Sequence, residues 1–149
     1  SGAWNTFDGK IAGAMNTIFE LGSAMPSDMH APSRTFYDAY KKAYGKDIQA
    51  GHGPAPAYES VYILKDAIER AQSIDPDAIV AELEKTDRMG VMGRVKYDEG
   101  HQAIYGFDPK ETCVSTVFQW TEDGKRTIVF PASIAEGKIQ LPAGLKAAK

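Results

Sequence analysis

The sequence predicts an α/β fold, with helices first and strands last, and three observations carry that expectation. Aromatic residues recur at helical spacing from Phe36 to Tyr44 and stop at Gly45. Asp75 followed by Pro76 marks a further helix start. After Gly90 and Gly93 the hydrophobic period changes from helical to alternating. Helices followed by strands belong to the α/β or α+β architectures.

In chain order, residues 1–31 hold few helix signals. The apolar run around Ile11 to Phe19 reads as one strand over about Ala14 to Glu20, although a run of this length also suits a short helix. Ser33 is the expected N-cap of the first clear helix, whose stripe is Phe36, Tyr37, Tyr40, Ala43 and Tyr44 and whose left-handed stop is Gly45. A second helix is expected from Ala57, with Val61, Leu64, Ile68 and Ala71 facing the core and Lys65 and Glu69 facing solvent. Asp75 as cap and Pro76 at the first helical position then start a short helix through Ile79, Val80 and Leu83, ending near Lys85.

The Gly90-x-x-Gly93 turn opens a strand, Arg94 to Asp98, in which Val95 and Tyr97 point one way and Arg94 and Lys96 the other. A second strand, Val114 to Trp120, places Thr116, Phe118 and Trp120 on one face, and Asp123-Gly124 signals a hairpin into Thr127 to Phe130. Ile134 to Pro142 is expected to lie as an extended arm on the core, and the tail from Ala143 to fray.

Composition narrows the function classes. The 149 residues suit one domain, and 43% hydrophobic with 25% charged residues is the balance of a soluble globular chain. Seventeen basic residues scattered among 20 acidic ones, for a net charge of −3, make no basic stripe, so no nucleic-acid partner is expected. No apolar stretch approaches the roughly 20 residues of a membrane span, and the opening Ser1-Gly2-Ala3-Trp4 lacks a signal-peptide pattern, which a processed or excised chain would also lack.

Catalytic chemistry finds no motif. His30, His52 and His101 fall in three different predicted loops without metal-ligand spacing, so neither a metal nor another cofactor is expected. Glu82 and Glu84, like Asp75 and Asp77, are two apart and point to different helix faces. Cys113 stands alone, which excludes an internal disulfide and suggests a buried apolar thiol.

The most loop-like interior stretch is Ala50 to Tyr58. Its glycines permit close approach of a ligand to the backbone, and a helix N-terminus presents N–H groups and a positive dipole end to a carboxylate. Its other reading is a plain connection with Tyr58 packed in the core.

The order of motifs resembles the periplasmic solute-binding proteins of bacterial ABC importers, in particular the branched-chain amino acid (leucine/isoleucine/valine) receptors. The resemblance is carried by F-x-x-x-Y-x-x-x-Y-G from Phe36 to Gly45, by Tyr58-Glu59-Ser60 where the family usually has Tyr-Asp-Ala, and by Ala67-Ile68-Glu69-Arg70-Ala71. Asp75-Pro76-Asp77-Ala78, the stretch Gly90 to Gly100, and the final strands with Gln119-Trp120 and Asp123-Gly124-Lys125 complete it. Glu59 departs from the pattern with no visible consequence, and Ile104 to Thr112 matches poorly, as a variable loop would.

The resemblance implies part of a two-lobed type I binding-protein fold, with residues 1–149 as a single unit, the C-terminal portion of a receptor straddling the inter-lobe hinge. It implies a non-enzymatic, periplasmic or extracellular receptor that binds a branched-chain amino acid or similar small solute and delivers it to a membrane permease. The loop before Tyr58 then corresponds to one wall of the ligand cleft, and His52, Gly53 and Tyr58 become the candidate ligand-binding residues. The family's groups for the ligand carboxylate and amino group find no match in this sequence. A C-terminal portion alone is expected to bind little solute and to pair with the missing lobe segment or a second copy of itself. Two other readings stay open: a small α+β enzyme or regulatory domain with a cleft near His52 and Tyr58, and an interaction domain dimerising through the aromatic helix from Phe36 to Tyr44.

Overall fold

The structure, a computed structural model, describes residues 19–22, 27–48, 53–121 and 125–141. Their elements run β1 (Phe19–Gly22), α1 (Ala31–Tyr44), α2 (Pro54–Ala71), α3 (Pro76–Leu83), β2 (Asp87–Gly90), β3 (Gly93–Lys96), β4 (Tyr105–Gly106), β5 (Cys113–Val114), β6 (Thr116–Trp120) and β7 (Arg126–Phe130). Two sheets result, a three-stranded one in the order β1-β6-β7 and a four-stranded one in the order β2-β3-β5-β4. All strand neighbours are antiparallel except β4 and β5. The α/β class expected from the sequence is the one found. Of the strand expected over about Ala14 to Glu20, residues 14–18 lie outside the described residues, while β1 begins at Phe19.

α1 starts earlier than its stripe suggests. His30, not Ser33, occupies the N-cap, because Pro32 with its fixed φ and missing N–H fits the first turn and extends the helix back over Ala31. Ser33 is therefore a buried helical residue. Gly45 ends the helix as expected: at φ 67 it is left-handed, and its N–H reaches Lys41 O at 2.8 Å.

α2 corrects both the expected start and the expected face. It begins at Pro54 with Gly53 as N-cap, and its buried line is Ala55, Glu59, Ile63 and Ala67. Val61 and Leu64, assigned to the core from sequence, are 65% and 46% exposed. A line of two alanines, one isoleucine and one glutamate reads as weakly apolar, so the larger aliphatics on the neighbouring face dominate the periodicity. α3 follows its cap, with Asp75 accepting from Ala78 N at 3.1 Å.

The Gly90-x-x-Gly93 segment has a strand on both sides. β2 and β3 pair from Asp87 with Lys96 to Gly90 with Gly93. The first strand, Asp-Arg-Met-Gly, lacks the alternation by which a strand is recognised. Val91 and Met92 at the tip are buried. Gly93 is required twice over: its φ is 98, and a side chain would meet Thr112 O at 2.4 Å.

Among the described residues two apolar cores form. One gathers Ala55, Ile63, Val91, Met92, Val95 and Cys113; the other gathers Tyr37, Ile48, Val114, Phe118, Ile128 and Ile134. Adjacent β5 residues serve different cores, as alternate strand faces require, and Phe36 packs against both. Thr116, Phe118 and Trp120 are buried as expected, and the hairpin they begin is completed by β7, with its tip at 122–124 outside the described residues. The C-terminal arm lies on the core through Ile134 and through Gln140, whose backbone exchanges two hydrogen bonds with the Gln119 side chain at 2.8 and 2.9 Å. Pro142 and the tail from Ala143 lie outside the described residues.

Candidate functional site

α1 and the first turns of α2 border an open groove of about 750 Å³, lined by alanines, prolines, Thr35 and the rings of Phe36, Tyr40, Tyr44 and Tyr58, with no charged side chain among the described residues. Its wall is an aromatic stack. Phe36 of α1 lies 4.6 Å from Tyr58 of α2, and Tyr58 lies 4.9 Å from Tyr62, one helical turn on. The Tyr58 hydroxyl donates to that of Tyr62 at 3.3 Å. Tyr58 remains 41% exposed, so it is not a ring packed in the core.

The hydrogen bond to Tyr62, then burial, the Tyr62 phenol and Glu59, raise the Tyr58 phenol above its ordinary value, while Arg88 opposes them. Arg88 lies over the Tyr62 ring, its guanidinium 5.0 Å from the ring centre. It bonds Glu59 Oε1 at 2.7 Å and Asp66 Oδ2 at 2.6 Å.

Of the three residues singled out from sequence, His52 lies outside the described residues. Gly53 and Tyr58 are brought to the same end of α2. Gly53 is exposed with a negative φ, and a Cβ there would meet open space, so neither packing nor backbone conformation demands glycine. The N-terminus of α2 is a poorer anion cradle than the loop suggested. Pro54 and Pro56 carry no N–H, Ala57 N is already bonded to Gly53 O at 3.1 Å, and the remaining first-turn N–H belongs to buried Ala55.

Two residues were missed. His30 is buried and its Nε2 donates to Gly90 O at 2.8 Å. Glu59 is 1% exposed and accepts from Val91 N at 2.6 Å as well as from Arg88. The one sequence signal for either was Glu59 in line with Ala55, Ile63 and Ala67. His101 is exposed, with Glu84 at 3.7 Å. Cys113 is fully buried, and burial pushes its thiol up to about 11. Among the described residues no group of three His, Cys, Asp or Glu side chains is placed to hold a metal.

Comparison with known proteins gives a consistent result. The sequence model of the family described as periplasmic binding protein matches residues 3–125. Proteins named Leu/Ile/Val-binding protein homolog 7 from Brucella melitensis biotype 1 and Brucella suis biovar 1 are 29% and 27% identical over 111 residues, covering 72% of this chain and 26% of each relative. The chain thus spans about a quarter of the length of the curated relatives it matches. Among solved structures, a branched-chain amino acid ABC transporter protein from Silicibacter pomeroyi superposes with a TM-score of 0.71 at 16% identity, over 84% of this chain and 34% of that one. This second likeness concerns the fold alone. The leucine-binding protein LivK of Thermotoga maritima MSB8 gives a TM-score of 0.57 at 26% identity, over 74% of this chain and 29% of its own.

Proposed function

The chain belongs to the periplasmic binding protein family, and from that premise we propose that it supplies one wall of the solute cleft of an ABC-importer receptor. The solute is a branched-chain amino acid or a similar small molecule, bound outside the cytoplasm and handed to the membrane permease. The observation that carries this reading is Tyr58, in contact with Phe36 and Tyr62 and still 41% exposed on a groove whose described lining is uncharged. A fixed aromatic face suits the apolar side chain of an amino acid and is costly to leave in water.

In this reading affinity comes from burying the solute between lobes, without a covalent step. The described lining, which carries no charge, and the proline-blocked start of α2 leave the ionic ends of the solute to other residues of the receptor. The buried Cys113 thiol, pushed up to about 11, is no nucleophile near neutral pH.

The unit of residues 1–149 is read as the C-terminal portion of such a receptor, near its hinge. Val61, Leu64 and Phe107, exposed at 65, 46 and 70%, favour a covering segment of the same receptor, with a second copy of this chain as the competing occupant.

The test is a chimera in which this chain replaces the matched segment of the Brucella melitensis relative, titrated with leucine, isoleucine and valine by calorimetry. Saturable binding by the chimera and little by the 149-residue chain alone is expected. A folded chimera that binds none of the three, beside a relative that does, contradicts the proposal.

A further inference from the structure

Arg88 reaches the aromatic wall from outside the helix that carries it. It belongs to β2, whereas Tyr58 and Tyr62 belong to α2. Its guanidinium is fixed on two edges, by Glu59 Oε1 at 2.7 Å and Asp66 Oδ2 at 2.6 Å, and these carboxylates lie seven residues apart on the same helix as the tyrosines. A planar cation bonded to two carboxylates has little freedom to rotate, and Arg88 is set over the Tyr62 ring at 5.0 Å.

Tyr62 thus contacts both Arg88 and Tyr58, the latter at 4.9 Å, and its hydroxyl accepts from that of Tyr58 at 3.3 Å. Tyr58 in turn contacts Phe36 at 4.6 Å. The chain of contacts therefore runs from Phe36 of α1 to Arg88 of β2. An ordinary exposed ion pair would need only Asp66; the second partner, Glu59, is 1% exposed and anchors the guanidinium to the interior.

We propose that Arg88 is a positioning residue of the groove: it holds Tyr62 in place, and through Tyr62 it fixes the exposed ring and hydroxyl of Tyr58. The functional consequence rests on the reading of Tyr58 as a cleft residue, whereas the positioning itself is measured without solute.

The experiment is aromatic-selective ¹³C NMR of the 149-residue chain, native and as Arg88→Met, Arg88→Lys and Tyr62→Leu. In Arg88→Met the Tyr58 ring signals move towards those of an unpacked tyrosine and its NOE to Phe36 is lost, while the buried rings of Phe118 and Trp120 keep their native shifts. Arg88→Lys, which keeps the charge without the planar fork, restores part of the native position. Should Arg88→Met not fold, Tyr62→Leu removes the intermediate ring and hydroxyl directly, and the same Tyr58 displacement is expected. Unmoved Tyr58 signals in folded Arg88→Met, or in Tyr62→Leu, overturn the proposal. If Tyr58 moves in folded Arg88→Met but the solute affinity of the chimera carrying Arg88→Met is native, the positioning stands and the cleft reading of Tyr58 falls.

Discussion

Glu59 and Gly90 are shaped to each other. A Cβ on Gly90 would stand 2.0 Å from Glu59 Oε2, so the carboxylate fills the space a side chain would need. That same oxygen accepts from Val91 N at 2.6 Å, while Gly90 O accepts from His30 Nε2 at 2.8 Å. Both polar groups of the Gly90–Val91 peptide are thus satisfied by side chains, one from α2 and one from the N-cap of α1. The tip of the β2–β3 hairpin is buried, and an unsatisfied peptide there is costly.

Gly90→Ala should destabilise the fold by about 3 kcal/mol, the scale of a disrupted buried ion pair. The new methyl has to displace a carboxylate that is held by Arg88 and Val91. Urea denaturation of the variant, alone and combined with Glu59→Ala, checks this. The double variant should cost clearly less than the sum of the two single ones, since both act at one contact.

Glu59→Ala should cost about 3 kcal/mol, because it strands the Val91 N–H and leaves Arg88 with Asp66 alone. Glu59→Gln keeps a hydrogen-bond acceptor and most of the packing, and should cost about 1 kcal/mol. Equal losses in thermal denaturation would show that charge rather than hydrogen bonding dominates at this position.

Asp75→Ala should remove about 1 kcal/mol by uncapping α3. Asp75→Ser should restore most of it. Hydrogen exchange at the Ala78 amide, which Asp75 accepts at 3.1 Å, should accelerate in the alanine variant and remain slow in the serine variant.

Alkaline pH should destabilise the protein through Cys113 and Tyr37. Burial raises the thiol from 9.0 to about 11 and the phenol from 10.0 to about 12. Both native-state values lie above the unfolded ones, so each contribution is complete below the unfolded value. It is lost as pH rises towards the folded value, because the unfolded chain ionises first. Between pH 9 and 11 the native protein should lose stability more steeply than Cys113→Ala, as followed by denaturation at fixed pH steps. Parallel slopes would remove the thiol from the account.

The parts of the fold legible in the sequence are those governed by local chemistry. Gly45 stops α1 and Asp75-Pro76 starts α3 because left-handed backbone, a capping carboxylate and a fixed φ act within one turn of chain. The β6 faces follow from simple alternation at Thr116, Phe118 and Trp120. What escaped depends on distant partners. Glu59 reads as a departure without consequence until Arg88 and Val91 N, 29 and 32 residues on, stand beside it. His30 reads as a loop residue until Gly90 O, 60 residues away, accepts a hydrogen bond from its ring. The start of α1 was misjudged because Ser33 is a good cap by type, whereas Pro32 decides the position. At the groove, Tyr58 was visible as the aromatic residue delivered by a Gly/Pro-rich loop. Its partners Phe36 and Arg88 come from other elements and leave no local mark.

The central claim, that Tyr58 is a wall of the solute cleft, is tested most directly by calorimetric titration of the receptor chimera with leucine, comparing Tyr58 with Tyr58→Ala. Tyr58 is 41% exposed and contributes its ring to the groove, so the variant should remain folded. Its leucine affinity should fall by about tenfold, equivalent to ~1.4 kcal/mol. Native affinity in a folded Tyr58→Ala chimera would contradict the claim.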